Sequence, residues 1–122
     1  MGLLADKLTK KNLSLLEKNQ MVQTVIQRVL NVCQPSSIYW FGSSYNGSMT
    51  ELSDFDFAIL FKTDIELKQN KKLLLTKKLF LDIPIDLIFF TEKTFLEKSV
   101  IGGICWQIKN EGVKVYDQSS KI

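Results

Sequence analysis

Histidine is absent from the 122 residues. Imidazole is the commonest general base and a frequent zinc ligand, so its absence excludes a histidine base, a histidine-ligated zinc site and a Ser-His-Asp triad within the chain. Cysteine is nearly absent too: Cys33 and Cys105 stand far apart with no Cys-x-x-Cys spacing. That pattern argues against a disulfide framework or a zinc site and predicts two reduced, buried thiols in a cytoplasmic protein. No stretch approaches the roughly eighteen consecutive apolar residues of a membrane-spanning helix. Arginine occurs once, against fifteen lysines, and the formal net charge is +3. A mildly basic surface suits polyanions such as nucleotides or RNA, but the lysines are spread over helix-like segments and give a nucleic-acid role only weak support.

What is present reads as one domain over residues 1–122, with 1–13 as a flexible, lysine-rich N-terminal segment. The hydrophobic share of 45% and charged share of 24% are those of an ordinary globular protein, so one packed core is expected. No repeat, low-complexity tract or linker interrupts it.

Ser14 and Glu17 have the spacing of a capping box, which starts a helix there. Leu15, Val22, Val25, Ile26, Val29, Leu30 and Cys33 continue it as an amphipathic stripe until Pro35. Ser37 to Phe41 reads as a short buried strand, and a second strand runs from about Asp54 to Phe61, apolar enough to be covered on both faces. Helical spacing resumes over residues 65–81, where five lysines form a solvated face. A strand from Ile83 to Phe90 contains Pro84, which makes it an edge or places the proline at its first position. Thr91 caps a helix to about Lys98, a second helix covers Val100 to Lys109, and Val113 to Tyr116 adds a last strand after Glu111-Gly112. Trp40 and Trp106 both read as packing residues. The fold class is α/β or α+β: a small sheet with helices packed on it.

Three carboxylates break this apolar pattern. Asp54 and Asp56 open one strand and, being two residues apart, project from the same face with Cα atoms roughly 6.5 to 7 Å apart. Two such groups repel each other unless a divalent cation lies between them, and hard cations prefer oxygen ligands. Asp86 sits inside the apolar run IPIDLIFF, where an ionised group is costly without a partner. If its strand lies beside that of Asp54 and Asp56, the three converge on a metal site fit for phosphoryl or nucleotidyl chemistry. The bland alternative has Asp54 and Asp56 capping a turn after Ser53, and Asp86 pairing with a lysine. Gly42-Ser43, separated from Asp54 by ten residues, ends a strand where backbone NH groups and a hydroxyl can hold phosphate oxygens.

The stretch FGSSYNGSMTELSDFDFAIL resembles the signature of the nucleotidyltransferase superfamily that includes DNA polymerase beta, and in particular its minimal nucleotidyltransferases. The matching positions are Gly42-Ser43, then a second glycine, Gly47, with four residues between it and Gly42, then Ser53-Asp54-Phe55-Asp56. Asp86 in PIDLIFF matches the third carboxylate of the family better than Asp82, and the ending IKNEGVKVYD is also similar. One departure is Asn46, where many minimal members carry arginine.

The resemblance implies a small mixed sheet with helices on it and transfer of a nucleoside monophosphate, most readily AMP from ATP, to a hydroxyl with release of pyrophosphate. It implies that Asp54 and Asp56 hold Mg2+ on the triphosphate and that Asp86 ligates a second metal or activates the acceptor. Gly42 and Ser43 then bind the phosphates, with Gly47 and Ser53 in the same nucleotide-binding loop. It further implies a separate helical partner of the HEPN type, adenylylated as the toxin of a toxin-antitoxin pair. Two alternatives stand beside it: an antitoxin that binds without catalysis, and a transferase for RNA ends or small molecules. A homo-oligomer is left open.

Overall fold

The computed structural model describes residues 15–41, 55–77 and 85–120. Ser14 of the expected capping box, residues 1–13 and Pro84 lie outside them.

Helix α1 spans Leu15–Leu30, and Met21, Val22, Val25, Ile26 and Val29 recur at helical spacing on its buried side. The helix stops short of the stripe that the sequence suggests. The Asn31 NH donates to the Gln27 carbonyl and the Cys33 NH to the Val29 carbonyl, each at 3.0 Å, closing the last turn. The residue before a proline avoids the helical region, so the chain leaves the helix ahead of Pro35 and needs the intervening residues to enter the sheet. Cys33 is buried in this turn, beyond the helix, and burial pushes its thiol up to about 11. Cys105 is likewise a free, buried cysteine.

Strand β1 is Ser37–Phe41, β2 is Phe55–Phe61, β3 is Ile85–Thr91 and β4 is Val113–Asp117. Their order across the sheet is β3-β2-β1-β4. β1 runs antiparallel to β2 and β4, while β2 and β3 run parallel, joined through helix α2 at Asp64–Thr76. Thr63 caps α2 by accepting from the Glu66 NH at 3.1 Å. This helix ends at Thr76 with the Lys77 NH on the Leu73 carbonyl, short of the expected residue 81; Leu79 and Phe80 lie outside the described residues. β3 is an edge among the described residues, as Pro84 in the sequence suggests.

Helix α3, Glu92–Ser99, is capped by Thr91 as expected. The next helix does not begin at Val100. Gly102 and Gly103 take φ of 118° and 81°, outside the helical region, and α4 starts after them at Ile104 and runs to Glu111. Cys105 and Ile108 turn inward from α4, which leaves Trp106 43% exposed; only Trp40 of the two tryptophans belongs to the core.

Side-chain alternation divides the core into two layers. Ile38, Trp40, Phe57, Ile59 and Phe61 face α1 and Leu74 of α2. Phe41, Ala58 and Leu60 face Phe95, Cys105 and Ile108 of α3 and α4. β2 is therefore covered on both faces. No helix among the described residues is long and apolar enough to cross a membrane.

The turn after β4 is held by Asp117, which accepts from the Ser119 Oγ at 2.7 Å, the Ser119 NH at 2.9 Å and the Lys114 ammonium at 3.0 Å. These bonds, the Ser119 hydroxyl's first and the Lys114 ammonium's next, hold its carboxyl down to about 2 from the ordinary 3.8. A depressed acid stabilises the fold above its unfolded value and loses that contribution as pH falls through its folded value. Asp117→Asn is therefore expected to flatten the stability profile between about pH 4 and pH 2 and leave its shape near neutrality unchanged. Urea titrations at stepped pH check this, and an unaltered acid slope would contradict it.

Candidate active site

Asp56 and Asp86 are Cα partners in the parallel register of β2 and β3, which also pairs Phe55 with Ile85 and Phe57 with Leu87. Neighbouring strands lie about 4.8 Å apart, so the two carboxylates stand side by side near the start of their strands. Alternation assigns Asp56 to the face of Ala58 and Leu60, and Asp86 to that of Ile88 and Phe90, the side covered by α3 and α4. Asp56 is half-buried and Asp86 exposed. On the other flank of β2, Phe41 is the antiparallel partner of Asp56. One row across the sheet thus reads Phe41, Asp56, Asp86, and the residue bonded to Phe41 is Gly42.

Two of the seven residues singled out in the sequence are described, and the sheet brings those two together. Asp54, Gly42, Ser43, Gly47 and Ser53 lie outside the described residues, as does Asn46. The chemistry of the described pair is clear: like charges directly opposite on adjacent strands destabilise a sheet, whereas a hard divalent cation is served by such neighbouring carboxylate oxygens.

One residue near this row escapes a motif reading. Gly112 closes α4, and a Cβ there would lie 2.9 Å from the Phe41 Cβ, 3.0 Å from the Trp40 carbonyl oxygen and 2.7 Å from the Ile108 oxygen. The bare backbone of Gly112 lets α4 and β4 close against the end of β1. In the sequence it reads only as a helix stop. Gly112→Ala is expected to cost about 1–3 kcal/mol through overpacking, read as a lower denaturation midpoint with an unchanged slope; an unaltered midpoint would show that the close approach is readily relieved.

A depression of about 250 Å³ lined by Ser37, Tyr39, Leu60, Phe95 and Lys114 lies elsewhere. Ser37 pairs with Leu60 at the opposite end of β1 and β2 from Phe41 and Asp56, four residues or roughly 13 Å away. It does not include the carboxylate row.

The protein-family model described as Polymerase beta, Nucleotidyltransferase matches residues 20–121. Among solved structures, a candidate nucleotidyltransferase from Sulfolobus solfataricus matches with a TM-score of 0.59 at 16% identity, covering 98% of this chain and 92% of the other. A toxin-antitoxin structure with AMP-PNP matches with a TM-score of 0.51 at 21% identity, covering 80% of this chain and 74% of that one. At such identities a likeness speaks for the fold, and function has to come from the site. No curated protein matches the chain at a significant level.

Proposed function

The chain belongs to the polymerase beta nucleotidyltransferase family, and from that premise we propose that it moves AMP from ATP to a hydroxyl on a helical partner protein. That partner is of the HEPN type, and the chain acts as the antitoxin of the pair in the cytoplasm. The observation that carries the reading is the register that sets Asp56 beside Asp86. A structural neighbour that is a toxin-antitoxin structure with AMP-PNP supports both the nucleotide and the pairing.

The donor set fits magnesium, because hard carboxylate oxygens at adjacent positions are the ligands it takes together with substrate phosphates. Asp54, Asp56 and Asp86 would hold it. When bound, the ion would supply neutralisation of charge on the phosphate oxygens. Gly42, Ser43, Gly47 and Ser53 would cradle the triphosphate. In the transfer, the acceptor oxygen bonds to the α-phosphorus as the bond to the bridging oxygen breaks, and pyrophosphate leaves with that electron pair. The hydroxyl proton passes to the carboxylate of Asp86, the base available in a chain without histidine. Its exposure leaves that carboxylate accessible to a macromolecular acceptor.

Incubation with magnesium, α-labelled ATP and the helical protein encoded beside this chain is expected to label that protein, and Asp54→Asn with Asp56→Asn to remove the label. The second reading is an antitoxin that neutralises by binding alone, and Asn46, in place of an arginine that could neutralise phosphate charge, is the residue on its side. No label with the wild-type chain, together with a tight complex retained by the double variant, would favour it.

A further inference from the structure

Helix α2 carries an unusual outer face. Leu74 is buried and Leu67 half-buried against the sheet, which fixes the opposite side of the helix toward solvent. On that side Ile65, Lys68, Lys72 and Leu75 follow one another at intervals of three, four and three residues, the spacing of a helix-packing seam. Ile65 is 68% exposed and Leu75 58% exposed, and both lysines are exposed. A solvated helix face has no use for two large aliphatic side chains one above the other, and the seam between them is polar.

We propose that this seam docks an acidic amphipathic helix of another protein, apolar at its ends and carrying carboxylates opposite Lys68 and Lys72. The charge pattern selects that occupant. In a twofold antiparallel pairing with a second copy, Ile65 faces Leu75 but Lys68 faces Lys72, and in a parallel pairing each lysine faces itself. Like charges at the centre of a seam oppose self-association, and a helix with two carboxylates there satisfies both lysines. The aliphatic residues distinguish the face from a nucleic-acid surface: α2 has no arginine and no aromatic residue for stacking on bases. Both acidic residues of α2, Asp64 and Glu66, lie in its first turn, where they complement the helix N-terminus; Glu66 is off the seam, and Asp64, four residues before Lys68, flanks it at that end only. The crossover that contains α2 returns the chain to the end of the sheet where β3 begins, so the C-terminal end of the seam lies toward the carboxylate row. The proposal stands on α2 alone and holds whether or not the chain transfers AMP.

The test uses the full chain and two synthetic helical peptides whose seams read Leu-Glu-Glu-Leu and Leu-Lys-Lys-Leu at the same spacing. Fluorescence anisotropy at low salt is expected to show binding of the acidic peptide and at least about tenfold weaker binding of the basic one. Lys68→Glu with Lys72→Glu should reverse that preference while leaving the melting temperature near the wild-type value, because both positions are exposed. Lys68→Gln with Lys72→Gln should bind both peptides alike. No binding of the acidic peptide, or binding indifferent to the charge reversal, would overturn the proposal. So would a dimer in sedimentation that the reversal abolishes, or a single-stranded RNA bound through the same lysines in place of the acidic peptide.

Discussion

Asp56→Asn is expected to lower AMP transfer by about a thousandfold or more, a loss of roughly 4 kcal/mol of transition-state stabilisation. In the metal-free protein, Asp56 and Asp86 are paired on adjacent strands, and two negative charges about 5 Å apart repel by on the order of 1 kcal/mol even where water screens them fully. Neutralising either one relieves that repulsion. Asp86→Asn should behave alike. Magnesium with ATP should raise the melting temperature of the wild-type chain by linkage and that of neither variant. A structural role predicts the reverse. A carboxylate that caps a turn or pairs with lysine destabilises the fold when removed, by about 0.5–2 kcal/mol for a cap, and leaves the response to magnesium in place. Thermal melts with and without magnesium and ATP, run beside transfer rates, distinguish the two accounts.

Phe57→Ala is expected to cost about 3–5 kcal/mol, the largest stability loss we foresee from one substitution. Phe57 follows Asp56 on β2, is 0% exposed and points into the layer under α1. β2 has neighbours on both sides, β3 and β1, so the strand cannot shift to close the space a phenyl ring leaves. A domain's net stability is commonly about 5–15 kcal/mol, so the loss removes a large part of it. Guanidinium unfolding should show a lower midpoint at unchanged slope. Ala58 in place of Phe57 makes the contrast: Ala58→Gly removes one methyl from the other layer and should cost far less. A loss at Phe57 no larger than that at Ala58 would contradict the two-layer description of the core.

The strands were the legible part of this chain. β1 falls on Ser37–Phe41 as the β-branched and aromatic run suggests, and the continuous apolarity of β2 signals cover on both faces, which the two core layers provide. The mixed sheet with helices, and the resemblance to minimal nucleotidyltransferases, also hold. Helix ends were less legible. The stripe of α1 reads on to Cys33 because a buried side chain on a terminal turn looks the same in periodicity as one on the helix. The second helix of the α3 and α4 pair reads early because Val100 and Ile101 are apolar, although they are 80% and 84% exposed and the two glycines after them leave the helical region.

At the site, alternation alone says that Asp54 and Asp56 share a face. It does not say which strand lies beside them, because register depends on contacts distant in sequence. The pairing of Asp56 with Asp86 is the information the fold adds. The contact of Gly112 with Phe41 is of the same kind: two residues far apart in sequence, a close approach with no local signature.

The central claim is that Asp56 and Asp86 jointly hold a divalent cation on a nucleotide. Manganese, a spectroscopically visible stand-in for magnesium, tests it most directly by paramagnetic resonance titration in the presence of a non-hydrolysable ATP analogue. The account predicts nucleotide-dependent manganese binding by the wild-type chain, weakened at least about tenfold in Asp56→Asn and in Asp86→Asn alike. Equal binding by all three proteins would contradict it.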